Sequence, residues 1–150
     1  MDVSACATSN DSIGQAFELV RRGAAKVMIA GGADATVASL GMAGFEQIGA
    51  LSHDESWPPR APRPFDKTRD GTVVGEGACV MILESLDFAL ARGARILAEI
   101  VGYGQTTDAF HVIAPAEGGK GAARAIKRAL AEAGVAPEQV GYINAHGTAT

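Results

Sequence analysis

Apolar residues recur at helical spacing over residues 13–22, where Ile13, Ala16, Phe17 and Val20 fall on one face and Gly23 follows as a terminator. The pattern predicts a helix of about ten residues or slightly more, beginning soon after Cys6. Lys26 to Ala30 is a short apolar run closed by Gly31 and Gly32, as expected of a strand buried on both faces. Residues 77–84 form a second such run, followed by a helical stretch over 85–92 that stops at Gly93. Residues 94–102 alternate well enough for a further strand. Ala122, Ile126, Ala129, Leu130 and Ala133 then make one stripe of a helix over 118–133, with Gly134 as its stop. Residues 141–145 read as a short buried strand running into His146, Gly147 and Thr148.

Between these segments, from residue 40 to residue 70, periodicity fades. Trp57, Pro58, Pro59, Pro62, Pro64 and several charges predict a long irregular loop, a feature that in compact domains is often functional. The order helix, strand, loop, strand, helix, strand, helix, strand indicates an α/β protein with substantial parallel pairing. The first five residues read as the end of a strand with little before it, and Thr150 stops inside a Thr-rich turn, so the chain is expected to be a slice of a larger protein.

Composition narrows the function classes. Hydrophobic residues make up 47% of the 150, enough to build a core. The 13 basic residues are scattered and outnumbered by 17 acidic ones, for a formal charge of −4, which argues against a nucleic-acid partner. No apolar stretch approaches the roughly 20 residues of a membrane span, and the N-terminus lacks a secretory layout, so a cytoplasmic protein is expected. Cys6 and Cys79 lie far apart without C-x-x-C spacing, which predicts neither a disulfide framework nor a metal site.

The candidate chemistry centres on Cys6, flanked by small residues between a strand end and a helix start. Backbone N–H groups and the helix dipole there favour a thiolate, and small neighbours admit a substrate. The competing reading, a buried small hydrophobe, is the one adopted for Cys79 inside its apolar run. His146 is the partner type that acyl chemistry on a cysteine requires, and it follows a strand end, where open α/β sheets place their active-site groups. His53 and His111 lie in loops and read as surface or structural. Gly102-Tyr103-Gly104 and Gly75-Glu76-Gly77 could suggest a nucleotide site, but neither leads directly into a helix and no P-loop pattern is present.

The segments ACATS around Cys6, AGGAD at residues 30–34, PFDKTRDGTVVGEGA at 64–78 and NAHGTAT at 144–150 occur in the order seen in beta-ketoacyl-acyl carrier protein synthases. The whole chain resembles that family, and most of all its synthase II members of dissociated fatty-acid synthesis. The resemblance implies a thiolase-like layered α/β fold of duplicated halves, of which only the central portion is present. Residues 1–92 would finish the first half with its nucleophile, and residues 93–150 would begin the second half with its first catalytic histidine.

By the same resemblance, Cys6 carries the acyl group, and His146 assists decarboxylation of a malonyl-acyl carrier protein. The acyl chain grows by two carbons. Thr148 and Thr150 match positions that hydrogen-bond the pantetheine arm, with turn stabilisation as the alternative. Phe45 matches an aromatic beside the acyl pocket, with core burial as the alternative. Asp66, Arg69, Asp70 and Glu76 read as structural, fixing a loop against the floor of the site. No cofactor is implied, since substrates ride on the phosphopantetheine of an acyl carrier protein, and a homodimer is implied. The family's lysine and second histidine belong downstream of residue 150, so this piece alone is expected to be inactive. Two alternatives remain: a polyketide ketosynthase domain, and a non-catalytic chain-length partner, against which the presence of Cys6 argues.

Overall fold

A computed structural model describes residues 3–56 and 60–150. The first two residues of the expected strand end, and Trp57, Pro58 and Pro59 of the expected loop, lie outside the described residues. A 3-10 turn at Ala5–Ala7 leads into α1 (Thr8–Arg21), then β1 (Val27–Asp34), α2 (Ser39–Gln47), β2 (Gly77–Glu84), α3 (Leu86–Ala91) and α4 (Lys120–Ala133). β1 pairs with β2, and the Ser85 N–H donates to the Lys26 carbonyl at 3.0 Å, joining the end of one strand to the start of the other as antiparallel pairing requires. Parallel pairing among the described residues is confined to a bridge between Leu51 and Thr72.

The helices α1, α3 and α4 end at the glycines that the sequence marks as stops. At α1, Gly23 adopts a φ of +73°, its N–H reaches the Val20 carbonyl, and the Ala24 N–H reaches Leu19, which closes a Schellman motif. The same pairing recurs at Gly49, Gly93 and Gly134.

The chain groups into two compact units, one of residues 1–32 and 80–142, the other of residues 33–79 and 143–150. In the first, an extended segment runs along α4 in the opposite direction. The Tyr103 N–H donates to Glu132 at 2.6 Å, Arg128 donates to the Gln105 carbonyl at 2.9 Å, and Arg124 donates to the Thr107 carbonyl at 3.0 Å. Two residues of extended chain advance about 6.6 Å and four of helix about 6 Å, so contacts spaced two against four stay in register. Gly102 and Gly104 make the close approach possible, since a Cβ there would lie 2.3 Å from the Ala129 carbonyl oxygen and 2.1 Å from that of Ala125. Tyr103, between them, crosses to α1, where a Cβ on Gly14 would meet its ring at 2.3 Å. The Gly-Tyr-Gly triplet is thus a packing device. Arg21 of α1 also pairs with Glu132 of α4 at 2.8 Å.

In the second unit, Arg63 gathers the loop between α2 and β2. It donates to Asp54 at 2.7 Å, to the carbonyls of Arg60 and Thr68 at 2.9 Å each, and to Asp70 at 3.3 Å. Asp70 in turn accepts from the Ser52 hydroxyl and the His53 N–H. Glu76 accepts from the Val37 N–H at 2.9 Å. The carboxylates of this loop therefore act as backbone clamps, in line with their structural reading.

Five expectations need correction, the first being substantial parallel pairing, since β1 and β2 pair antiparallel. Residues 40–47, expected to begin an irregular loop, belong to α2; its glycines at 41 and 44 dilute the apolar periodicity that would reveal a helix. Residues 94–102 and 141–145 are not strands, because among the described residues no neighbouring strand supplies hydrogen-bond partners to them. β1 and β2 are not buried on both faces: Ile29 is 71% and Ile82 67% exposed, and Cys79 is exposed as well. The stripe expected to bury α4 is also displaced. Ala129, Leu130 and Ala133 of that stripe are half-buried as expected, but Ala122 and Ile126 are exposed and Gly121 and Ala125 complete the packed row instead. The buried apolar side chains among the described residues are alanines, at positions 16, 30, 61, 89 and 149.

Candidate active site

Cys6 sits in the 3-10 turn immediately before α1 and is exposed, as the helix-start reading requires. The turn is strained. Ala5 has a φ of +50°, a left-handed conformation that a side chain with a Cβ adopts at a cost. Hydrogen bonds over-determine it: the Ser4 N–H donates to the Thr8 hydroxyl at 2.9 Å, and that hydroxyl donates to the Ala5 carbonyl at 2.8 Å. The Ser4 hydroxyl donates to Asp11, whose other oxygen accepts from the Tyr103 hydroxyl at 2.7 Å. The Ser4 and Tyr103 hydroxyls hold the Asp11 carboxyl below the ordinary carboxylate range, outweighing the effect of burial.

The other candidate residues belong to the second unit. His146 is exposed at the entry to a turn in which Gly147 and Ala149 have φ values of +58° and +62°. Ala149 is buried, which turns its small side chain inward and leaves the two flanking threonines together. The hydroxyls of Thr148 and Thr150 lie 2.7 Å apart. Arg69 fastens this turn to the loop before β2: its Nε donates to the Thr150 carbonyl at 3.1 Å and its terminal nitrogen to the Asp66 carbonyl at 2.9 Å. Gly147, Thr148, Ala149 and Thr150 line an open cavity of about 280 Å³ with Phe65 and Arg69. Phe45 is half-buried on α2, away from that lining.

The structure thus brings Thr148 and Thr150 together at one turn with His146 at its entry. Cys6 lies in the first unit and Phe45 on a separate element of the second. His111 accepts from the N–H groups of Ile113 and Ala114, and His53 faces Glu46 at 3.6 Å, so both have local partners. Among the described residues no cluster of three or more His, Cys, Asp or Glu side chains could hold a metal ion. No helix among them is long and apolar enough to cross a membrane. Sequence reasoning missed Asp11, Tyr103 and Phe65. The signal for Tyr103 was present in its flanking glycines, whereas nothing local marks Asp11.

An exposed cysteine on a strained turn at a helix start and a His-Gly-Thr turn elsewhere in the chain are what the resemblance to the condensing enzymes leads one to expect. The chain belongs to the beta-ketoacyl synthase family: residues 2–89 match its N-terminal domain and residues 97–150 its C-terminal domain. It is 54% identical over 148 residues to a 3-oxoacyl-[acyl-carrier-protein] synthase 2 of Synechocystis sp. and 51% identical to that of Staphylococcus aureus, covering 99% of this chain in each case. The chain spans 36% of the length of those relatives.

Among solved structures, a beta-ketoacyl synthase from Burkholderia phymatum matches 98% of the chain with a TM-score of 0.93 and 43% identity, over 35% of its own length. A chain from a type II polyketide acyl-carrier protein in complex with its ketosynthase bound to the hexaketide matches all of it, with the same TM-score and 41% identity, over 38% of its own length. The fold is thiolase-like.

Proposed function

We propose that this chain is the central part of a 3-oxoacyl-acyl carrier protein synthase that performs decarboxylative condensation with Cys6 as its nucleophile. The observation that carries the reading is the exposed thiol on the clamped, left-handed turn before α1. Identity of 54% to a 3-oxoacyl-[acyl-carrier-protein] synthase 2, against 47% to an ishigamide ketosynthase/chain length factor chain and 41% to the polyketide complex, favours fatty-acyl elongation over polyketide synthesis.

In the first half-reaction the Cys6 thiolate attacks the thioester of an acyl-carrier protein. The carbon–sulfur bond to pantetheine breaks, the carrier leaves as a thiol taking a proton, and the acyl group stays on Cys6. Backbone N–H groups at the start of α1 stabilise the tetrahedral oxyanion. Malonyl-carrier protein then loses carbon dioxide, and its enolate carbon attacks the acyl-cysteine. The cysteine is released, and a 3-oxoacyl product two carbons longer forms. His146 donates a hydrogen bond to the developing enolate oxygen. Thr148 and Thr150 offer paired hydroxyls to the amides of the pantetheine arm, and Phe45 borders the acyl chain.

The reaction needs no metal and no cofactor beyond the phosphopantetheine of the acyl carrier protein. The first half of the duplicated fold ends near residue 92, and the second begins after it. The exposed apolar faces of β1 and β2 suit burial against further layers of a longer chain, which would form a homodimer in the cytoplasm.

Condensation of acyl- and malonyl-carrier protein by the full-length protein tests the proposal. Wild type should yield the 3-oxoacyl product and Cys6→Ala none. Product formation by Cys6→Ala at the wild-type rate would remove Cys6 from the mechanism.

A further inference from the structure

The mechanism above makes no use of the most deeply buried charged side chain among the described residues. Asp11 is 5% exposed and sits in the first turn of α1, where the helix dipole favours a carboxylate. Both of its oxygens are occupied. One accepts from Ser4, which precedes the strained Ala5 and lies two residues before Cys6, and the other accepts from Tyr103, 92 residues further along the chain.

Tyr103 is itself immobilised. Its ring lies over Gly14, one turn beyond Asp11 on α1, where no side chain larger than hydrogen fits. Its N–H is held by Glu132 of α4, and the glycines on either side press the backbone against that helix. A line of fixed contacts therefore runs from α4 through Tyr103 to Asp11 and on to Ser4. A left-handed alanine persists only where its surroundings over-determine it. The two bonds involving Thr8 fasten the turn to the first residue of α1, and the Asp11 bond links it through Tyr103 to α4.

We propose that Asp11, held by Tyr103 across α1, is a positioning residue that fixes the Cys6 turn through Ser4. It acts through Ser4 and touches no substrate. Asn at position 11 can replace both bonds, its carbonyl accepting from the Tyr103 hydroxyl and its amide donating to the Ser4 hydroxyl oxygen. Ala can replace neither. The inference deepens the reading of Cys6 as nucleophile and rests on it for its catalytic meaning.

The test uses the full-length protein and an acyl-pantetheine thioester, with single-turnover acylation of Cys6 followed at the peptide level. Asp11→Ala should lower the acylation rate at saturation about tenfold with little change in the half-saturating concentration, and Asp11→Asn should stay within about threefold of wild type. Tyr103→Phe, which keeps the ring on Gly14 and loses only the hydroxyl, should fall between them and serves if Asp11→Ala does not fold. Acylation of Asp11→Ala and Tyr103→Phe at the wild-type rate, or an equal loss in Asp11→Asn and Asp11→Ala, would overturn the proposal.

Alkylation by iodoacetamide separates this outcome from failure of the nucleophile reading, because exposed Cys79 is an internal reference in the same molecule. If wild-type Cys6 accepts no acyl group, the condensing role fails. The positioning role then stands only if Asp11→Ala changes the Cys6-to-Cys79 alkylation ratio several-fold and Asp11→Asn does not.

Discussion

The Tyr103 hydroxyl donates to Asp11 at 2.7 Å across 92 residues of sequence, and the Tyr103 ring occupies the space a side chain at Gly14 would need. Two opposed effects therefore meet at Gly14. Alanine there would raise helix propensity by about 1 kcal/mol, but its Cβ would lie 2.3 Å from the ring. Overpacking of that kind costs about 1–3 kcal/mol, so Gly14→Ala should lower stability. A thermal melt should show a reduced midpoint, and Tyr103→Leu in the Gly14→Ala background should recover part of the loss.

Acid should destabilise the chain over a definite range. The carboxyls of Asp11, Asp54, Asp66, Asp70 and Asp108 are all held below their ordinary value, the first four chiefly by side-chain hydroxyls and Asp108 by the Ala116 N–H. A group depressed on folding stabilises the native state above its unfolded value, roughly 3.9 for Asp, and that stability is lost as pH falls through the folded value. Denaturant midpoints should hold steady above about pH 5 and fall below about pH 4. Asp11→Asn should make that fall shallower, and an unchanged acid limb would show that Asp11 does not contribute to it.

Arg69 is the link between the 146–150 turn and the loop before β2. Arg69→Ala removes the donor to the Thr150 carbonyl and to the Asp66 carbonyl. Amide hydrogen exchange at residues 147–150 should accelerate several-fold, with exchange in α1 and α4 unchanged. On the proposed reading of Thr148 and Thr150 as pantetheine contacts, the same change in the full-length protein should raise KM for malonyl-carrier protein more than it lowers kcat.

How much of this was legible in the sequence follows from the range of the interactions involved. α1 and α4 show themselves through local periodicity and glycine stops, which need no partner. α2 does not, because Gly41 and Gly44 interrupt its apolar spacing. Residues 94–102 carry strand-like alternation, yet a strand exists only with a neighbour to bond to, and the following segment bonds instead to the side chains of α4. The candidate residues divide the same way. Cys6 and the His146 turn stand out as candidates by local chemistry, while the Asp11 contact with Tyr103 spans 92 residues and no local pattern connects the two.

The most direct test of the account is whether Cys6 alone accepts the acyl group. Full-length protein incubated with an acyl-carrier protein, digested and analysed by mass spectrometry should carry the acyl mass on the Cys6 peptide and none on Cys79, although both thiols are exposed. An acyl group on Cys79 in equal measure, or none on Cys6, would contradict the assignment of the nucleophile.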